Sequence, residues 1–167
     1  MKQSQRTIPR ESLIAWLAGI IDGEGTIGCY FYHDKSSRSP RYGIWIVNTD
    51  QRIILEGKRI FELMGIEKIY IGEKNYKGGI GRKRSWYLQI NRKADIQRGL
   101  EIIIPYLISK KKQAQLILSF FKSYPNLLLN RGNRSGKKND NFKVYSKLIE
   151  ALKKAKMEIG EPVETKR

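Results

Sequence analysis

One stretch near the start constrains the fold more than any other: Leu17-Ala18-Gly19-Ile20-Ile21-Asp22-Gly23-Glu24-Gly25. Leu13, Ile14, Leu17, Ile20 and Ile21 recur at helical spacing, which predicts a helix from Arg10 to Asp22. Ser12 or Thr7 is expected to cap its start, and Gly23 with Gly25 to mark its end. Small residues at Ala15, Gly19 and Gly23 are spaced four apart, so they share one face and let another backbone approach closely. Glu24 comes next, at the helix C-terminus, where a carboxylate meets the negative end of the helix dipole at a cost of about 0.3–1 kcal/mol when exposed. A bound cation reverses that cost. Two such helices side by side bring two copies of Glu24 together and compound the need for one. Taken alone, the stretch also reads as a glycine-capped helix with a stray acid.

The rest of the chain predicts an α+β domain. Thr26 to His33 is aromatic and β-branched, hence a strand; Asp34 to Pro40 is an expected turn, and Arg41 to Val47 a second strand. A helix capped by Asn48, Thr49 or Asp50 runs to about Met64, with Ile53, Ile54, Ile60, Phe61 and Met64 inward and Gly65 ending it. Ile66 to Glu73 and Arg84 to Asn91 form a second hairpin, and further helices span Asp95 to Ile104, Lys110 to Ser123 and Asn141 to about Lys156. The expected fold is one antiparallel four-stranded sheet with its helices on one face and its other face open. Residues 1–159 read as a single domain, 130–140 as a polar loop and 160–167 as a disordered tail.

Charge points to the partner. Lys and Arg number 33 against 16 Asp and Glu, a formal net charge of +17. A polyanion, nucleic acid above all, explains such an excess, and its binding weakens steeply with salt. From charge alone, a solubilising surface and a ribosomal-type basic protein also fit. The single cysteine, Cys29, excludes an internal disulfide, and with one histidine, His33, there is no zinc cluster. The first ten residues lack an apolar core of the secretory kind, and no run is long enough to span a membrane, so an intracellular protein is expected.

The nine residues 17–25 resemble the LAGLIDADG homing endonuclease motif in the form LAGIIDGEG, differing at Ile20, Gly23 and Glu24. The αββαββα order expected over residues 10–123 is similar to the whole family domain. Ile104-Pro-Tyr-Leu-Ile-Ser-Lys-Lys-Lys-Gln-Ala114 is similar to the segment before the penultimate helix of single-motif members, in which a lysine projects toward the active site. Lys110 is the matching lysine, or Lys111 or Lys112 if the register shifts. The resemblance implies an intron-encoded nuclease that hydrolyses double-stranded DNA with Mg²⁺ or another divalent cation. By position, Glu24 would hold the metal from both subunits, with the Gly23 carbonyl as a further ligand. Asp22 is expected to stabilise the helix end. A polar residue closing the second strand positions water in relatives; Asn48, Thr49 and Asp50 compete here, with Thr49 the candidate and Arg52 adding positive charge. A helix cap is the other reading of that trio. Lys110 would offset charge building on the phosphate.

Alternation assigns the faces of the first strand. Ile27, Cys29 and Phe31 share one; Thr26, Gly28, Tyr30 and Tyr32 share the other, with the parity of Glu24, and are assigned to DNA. On the fourth strand Trp86, Leu88 and Ile90 read as core, and Ser85, Tyr87 and Gln89 as outward beside Lys83. The second strand is apolar on both faces and cannot be oriented this way. Lys35, Arg38, Arg41, Lys74, Lys77, Arg82 and Arg84 gather near hairpin tips and strand starts as expected DNA contacts. No second copy of the motif exists, which in this family implies a homodimer and a pseudopalindromic target. Ala15, Gly19, Asp22 and Gly23 form the expected seam. An intron-RNA maturase on the same fold is the rival reading, and a regulator that has lost cutting is another.

Overall fold

The computed structural model describes residues 8–34, 37–74, 84–125 and 142–157, with side chains described outside 31–40 and 142. Helix α1 (Arg10–Glu24) runs into strand β1 (Gly25–Asp34), which pairs with β2 (Ser37–Asn48). Helix α2 (Gln51–Leu63), β3 (Tyr70–Lys74) and β4 (Ser85–Ile90) come next. Then come α3 (Lys93–Ile103), a 3-10 turn (Ile104–Tyr106), α4 (Lys111–Ser123) and α5 (Phe142–Met157). The strands form one antiparallel sheet in the order β1-β2-β4-β3. This is the expected α+β architecture.

The core arises from two periodicities. Helix α1 buries Ile14, Leu17, Ala18 and Ile21, one stripe at helical spacing, against the sheet. Ile27 on β1, Ile44 and Ile46 on β2, and Leu88 and Ile90 on β4 point back at it. Ile54 and Phe61 of α2, Ile96 and Leu100 of α3, Ile117 and Phe121 of α4, and Tyr145 of α5 complete one continuous cluster. Each fully buried aliphatic side chain contributes about 1.5–3 kcal/mol relative to exposure.

Local chemistry sets the boundaries. The backbone of Gly25 turns extended straight after α1, and a Cβ there would stand 2.8 Å from the Ile21 backbone. Only glycine fits this close approach, so the helix passes into the strand without a loop. Gly23 therefore lies inside the helix. Pro9, with no side-chain hydrogen bond, occupies the N-cap in place of the expected Ser12; Thr7 lies outside the described residues. Gly65, at φ 78°, takes the left-handed conformation that ends α2.

Two strand boundaries differ from expectation. The first hairpin extends through the expected 34–40 turn, pairing Phe31 with Pro40 and Asp34 with Ser37. Pro40 is tolerated because β4 pairs with β2 only from Ile44 onward, so the ribbon beyond has two strands. The third strand begins at Tyr70 and not Ile66, because the Glu67 and Lys68 amides donate to the buried Asp95 carboxylate at 3.3 and 3.2 Å. Those donors are thereby lost to a ladder. The tip of the second hairpin, the 130–140 loop and the 160–167 tail lie outside the described residues. No described helix is long and apolar enough to cross a membrane.

Candidate functional site

Glu24 is the last residue of α1, exposed, and joined directly to the sheet through Gly25. Among the described residues its carboxylate has neither hydrogen bond nor ion pair. Asp22, one position before Gly23, is used differently. Its carboxylate accepts from the Ile108 amide at 2.7 Å, the Ser109 hydroxyl at 3.0 Å and the Lys110 amide at 2.8 Å. Asp22 thus ties the segment leading into α4 to the end of α1, a long-range role in place of the expected one at the end of its own helix. Partial burial pushes its carboxyl up, yet the bonds from Ile108, Lys110 and Ser109 outweigh that, and its pKa lies below the usual 3.8.

The same clamp places Lys110, whose ammonium donates to the Asp22 backbone carbonyl. Burial pulls the Lys110 ammonium below its ordinary pKa; Asp22 and Glu24 oppose that pull, and Lys156 of α5 adds to it. Lys110 therefore sits within electrostatic range of Glu24. Of the three candidate lysines, Lys111 and Lys112 are exposed on the first turn of α4, and Lys110 is the one drawn to α1.

At the end of β2, Asp50 is the cap of α2: its carboxylate accepts from the Arg52 amide at 2.9 Å and pairs with the Arg52 guanidinium at 2.6 Å. The hydrogen bonds from Arg52 hold Asp50 below the usual carboxylate range. Asn48 accepts from the Asp50 amide at 2.8 Å. Thr49 is exposed, and among the described residues its side chain has no hydrogen bond.

The sheet face away from the helices is the second part of the site. It carries Thr26, Gly28 and Tyr30 on β1, and Ser85, Tyr87 and Gln89 on β4, as alternation predicts. Ser85 shares that face but is only 6% exposed. The structure orients β2, which alternation does not: Ile44 and Ile46 are core, and Arg41, Gly43, Trp45 and Val47 are open-face. On β3 the same face holds Tyr70, Gly72 and Lys74.

Two rings lie flat on this face because glycines make room. A Cβ on Gly43 would meet the Trp45 ring at 2.8 Å, and one on Gly72 would meet the Tyr87 ring at 2.4 Å. The Tyr30 and Trp45 ring centres are 5.3 Å apart, and the Lys74 ammonium lies 5.8 Å from the centre of Tyr87. Arg84 is not brought to the open face. Its guanidinium pairs with Glu73 at 2.5 Å and stacks 5.1 Å over Trp86, both on the helix side of the sheet. Lys77, Arg82 and Lys83 lie outside the described residues, as do the side chains of Tyr32 and Arg38, and Lys35 altogether.

On α1, Ala15, Gly19 and Gly23 are exposed, and nothing lies within 4 Å of a Cβ built at Gly19 or Gly23. That face is open to another surface. Trp16, 38% exposed, lies beside it, and no pattern in the sequence singles it out.

The fold so described, two antiparallel hairpins in one sheet backed by helices, is similar to that of solved homing endonucleases, among them one of the LAGLIDADG type. The similar solved structures include the homing endonuclease I-CvuI in complex with its target in the presence of calcium: 21% identity, 93% of this chain and 86% of that one covered, TM-score 0.58. The archaeal intron-encoded homing endonuclease I-Vdi141I complexed with DNA matches at 11% identity, with 95% and 91% covered and a TM-score of 0.57. The LAGLIDADG homing endonuclease I-GzeII in complex with DNA matches at 15% identity and a TM-score of 0.51; the match covers 86% of this chain but 43% of that one. No protein-family model matches the chain, and no curated protein matches it.

Proposed function

We propose that the chain is a DNA endonuclease that acts as a homodimer and makes a site-specific double-strand break in a long pseudopalindromic target by metal-dependent phosphodiester hydrolysis. The observation that carries this reading is Glu24: an exposed acid with neither hydrogen bond nor ion pair among the described residues, within electrostatic range of Lys110, in a chain of net charge +17. Solved neighbours of the same fold are described as homing endonucleases in complex with DNA, two of them in the presence of calcium or magnesium.

Among the described residues no three acidic, histidine or cysteine side chains gather into a metal site. One protomer offers the single carboxylate of Glu24 with the Gly23 carbonyl near it. Hard oxygen donors of this kind suit Mg²⁺ or Ca²⁺, and a second Glu24 from a partner across the open face of α1 would supply the rest. The coverage of less than half of I-GzeII is in keeping with this chain forming one half of a larger assembly. A divalent cation held there lowers the pKa of a bound water and stabilises the leaving oxygen. Glu24 would fix the cation, and Lys110, anchored by the Asp22 carbonyl, would offset negative charge on the scissile phosphate. Thr49, one residue past the end of β2, would orient water, whereas Arg52 is tied to Asp50 and would have to leave it to reach a phosphate. The open sheet face would lie in the major groove, which admits a two-stranded ribbon.

The test is incubation of the purified protein with Mg²⁺ and a plasmid library of candidate insertion sites, beside Glu24→Gln and an EDTA control. Metal-dependent linearisation of one insert, lost in Glu24→Gln while DNA binding persists, is the expected result. If no DNA is cut and intron RNA is spliced faster instead, the nuclease reading gives way to the maturase.

A further inference from the structure

The open face has a polar feature that its surroundings single out. Gln89, the penultimate residue of β4, is half-buried, and its amide has no hydrogen-bond partner among the described residues. In the sheet register it stands between Trp45 on one side and Tyr70 on the other. Trp45 leans over Gly43 and Tyr87 over Gly72, so both rings lie low and leave Gln89 standing clear.

Among the described strand residues, the cations of the open face are far from this row. Arg41 and Lys74 are each four residues along their strands from the row, about 13 Å at the rise of a β-strand. That distance corresponds to roughly four base-pair steps. A lysine or arginine on those positions meets a different part of the duplex. Among the described residues, the row itself therefore lacks the side chains that read guanine through its two acceptors. What it has is a primary amide, one acceptor and one donor side by side, which matches the N6 donor and N7 acceptor of adenine.

We propose that Gln89 is a specificity-determining residue that selects an adenine in the major groove, so that each half of the target carries an A·T pair opposite Gln89. The inference rests on the endonuclease reading, because it takes DNA on the open face as given. The amide oxygen accepts from the N6 amine of adenine, and the amide nitrogen donates to N7.

The experiment varies every base pair of a bound and cleaved target in turn and compares wild type with Gln89→Arg and Gln89→Glu. One position, with its symmetry mate, is expected to favour A·T in the wild type by about tenfold or more. Gln89→Arg moves the preference at that position to guanine and Gln89→Glu to cytosine, the other positions keeping theirs. Replacing that adenine with 7-deaza-adenine weakens wild-type binding and leaves Gln89→Glu unaffected. The proposal is overturned if the position altered by both variants prefers G·C in the wild type, or if neither variant alters any single position. A protein that binds no DNA of any sequence sinks the nuclease reading itself, a result distinct from misplaced specificity.

Discussion

Replacing Asp22 with alanine tests whether the clamp between α1 and the start of α4 is an energetic joint or an incidental contact. The carboxylate accepts three hydrogen bonds, at 2.7, 3.0 and 2.8 Å, from a segment 86 to 88 residues away in the chain. A hydrogen bond to a charged group contributes about 1.5–3 kcal/mol when well shielded. Asp22 is half-buried, so water replaces part of each bond and the whole set is worth about 2–3 kcal/mol and not the full sum. Urea unfolding at fixed protein concentration should show Asp22→Ala lowering the stability by that amount, as a shifted midpoint at unchanged slope. Ser109→Ala removes one donor and should cost about 1 kcal/mol, with most of that cost absent in the Asp22→Ala background.

The pH dependence is specific. The folded carboxyl titrates below its ordinary 3.8, so its stabilisation is complete above that value and is lost as pH falls through the folded pKa. Wild type and Asp22→Ala should therefore converge in acid. A loss under about 0.5 kcal/mol at neutral pH, or a difference undiminished near pH 2, would refute the argument.

The other perturbations probe the joint after α1 and the two sheet faces. Gly25→Ala places a Cβ 2.8 Å from backbone atoms that cannot swing aside, so it should lower stability by about 1–3 kcal/mol in the same assay and displace Glu24 with it. In DNA titrations across salt concentrations, Lys74→Ala should reduce the slope of log K against log salt by about 1. Arg84→Ala should leave that slope unchanged, because Arg84 is held by Glu73 on the helix side; equal effects from both would contradict the assigned faces.

The readable parts of the chain were those governed by short-range periodicity. Leu17 and Ile21 repeat every turn, Ile27 and Cys29 every second residue, and both patterns name their buried face without reference to the rest of the molecule. Strand β2 defeats that logic because Trp45 and Val47 are as apolar as Ile44 and Ile46. The local signal was Gly43, which leaves space for a large ring two positions on. Long-range partners were not legible at all. Nothing near Asp22 announces Ser109, and nothing near Ile66 announces that Asp95 will take its neighbours' amides. Arg84 read as a free cation because Glu73, eleven residues earlier, becomes its partner only when β3 and β4 pair.

The loopless passage from Glu24 to Gly25 has a consequence for how such a chain can change. Helix and strand count residues differently, one by turns and the other by alternation, and here the two counts meet at a single peptide bond. An extra residue at that bond would put Ile27 and Cys29 outside and Thr26 and Tyr30 inside, while rotating Glu24 about its helix. The acid and the reading face are thus kept in phase by one joint. Length variation must enter elsewhere, and the hairpin ends are where the phase of the core does not depend on it.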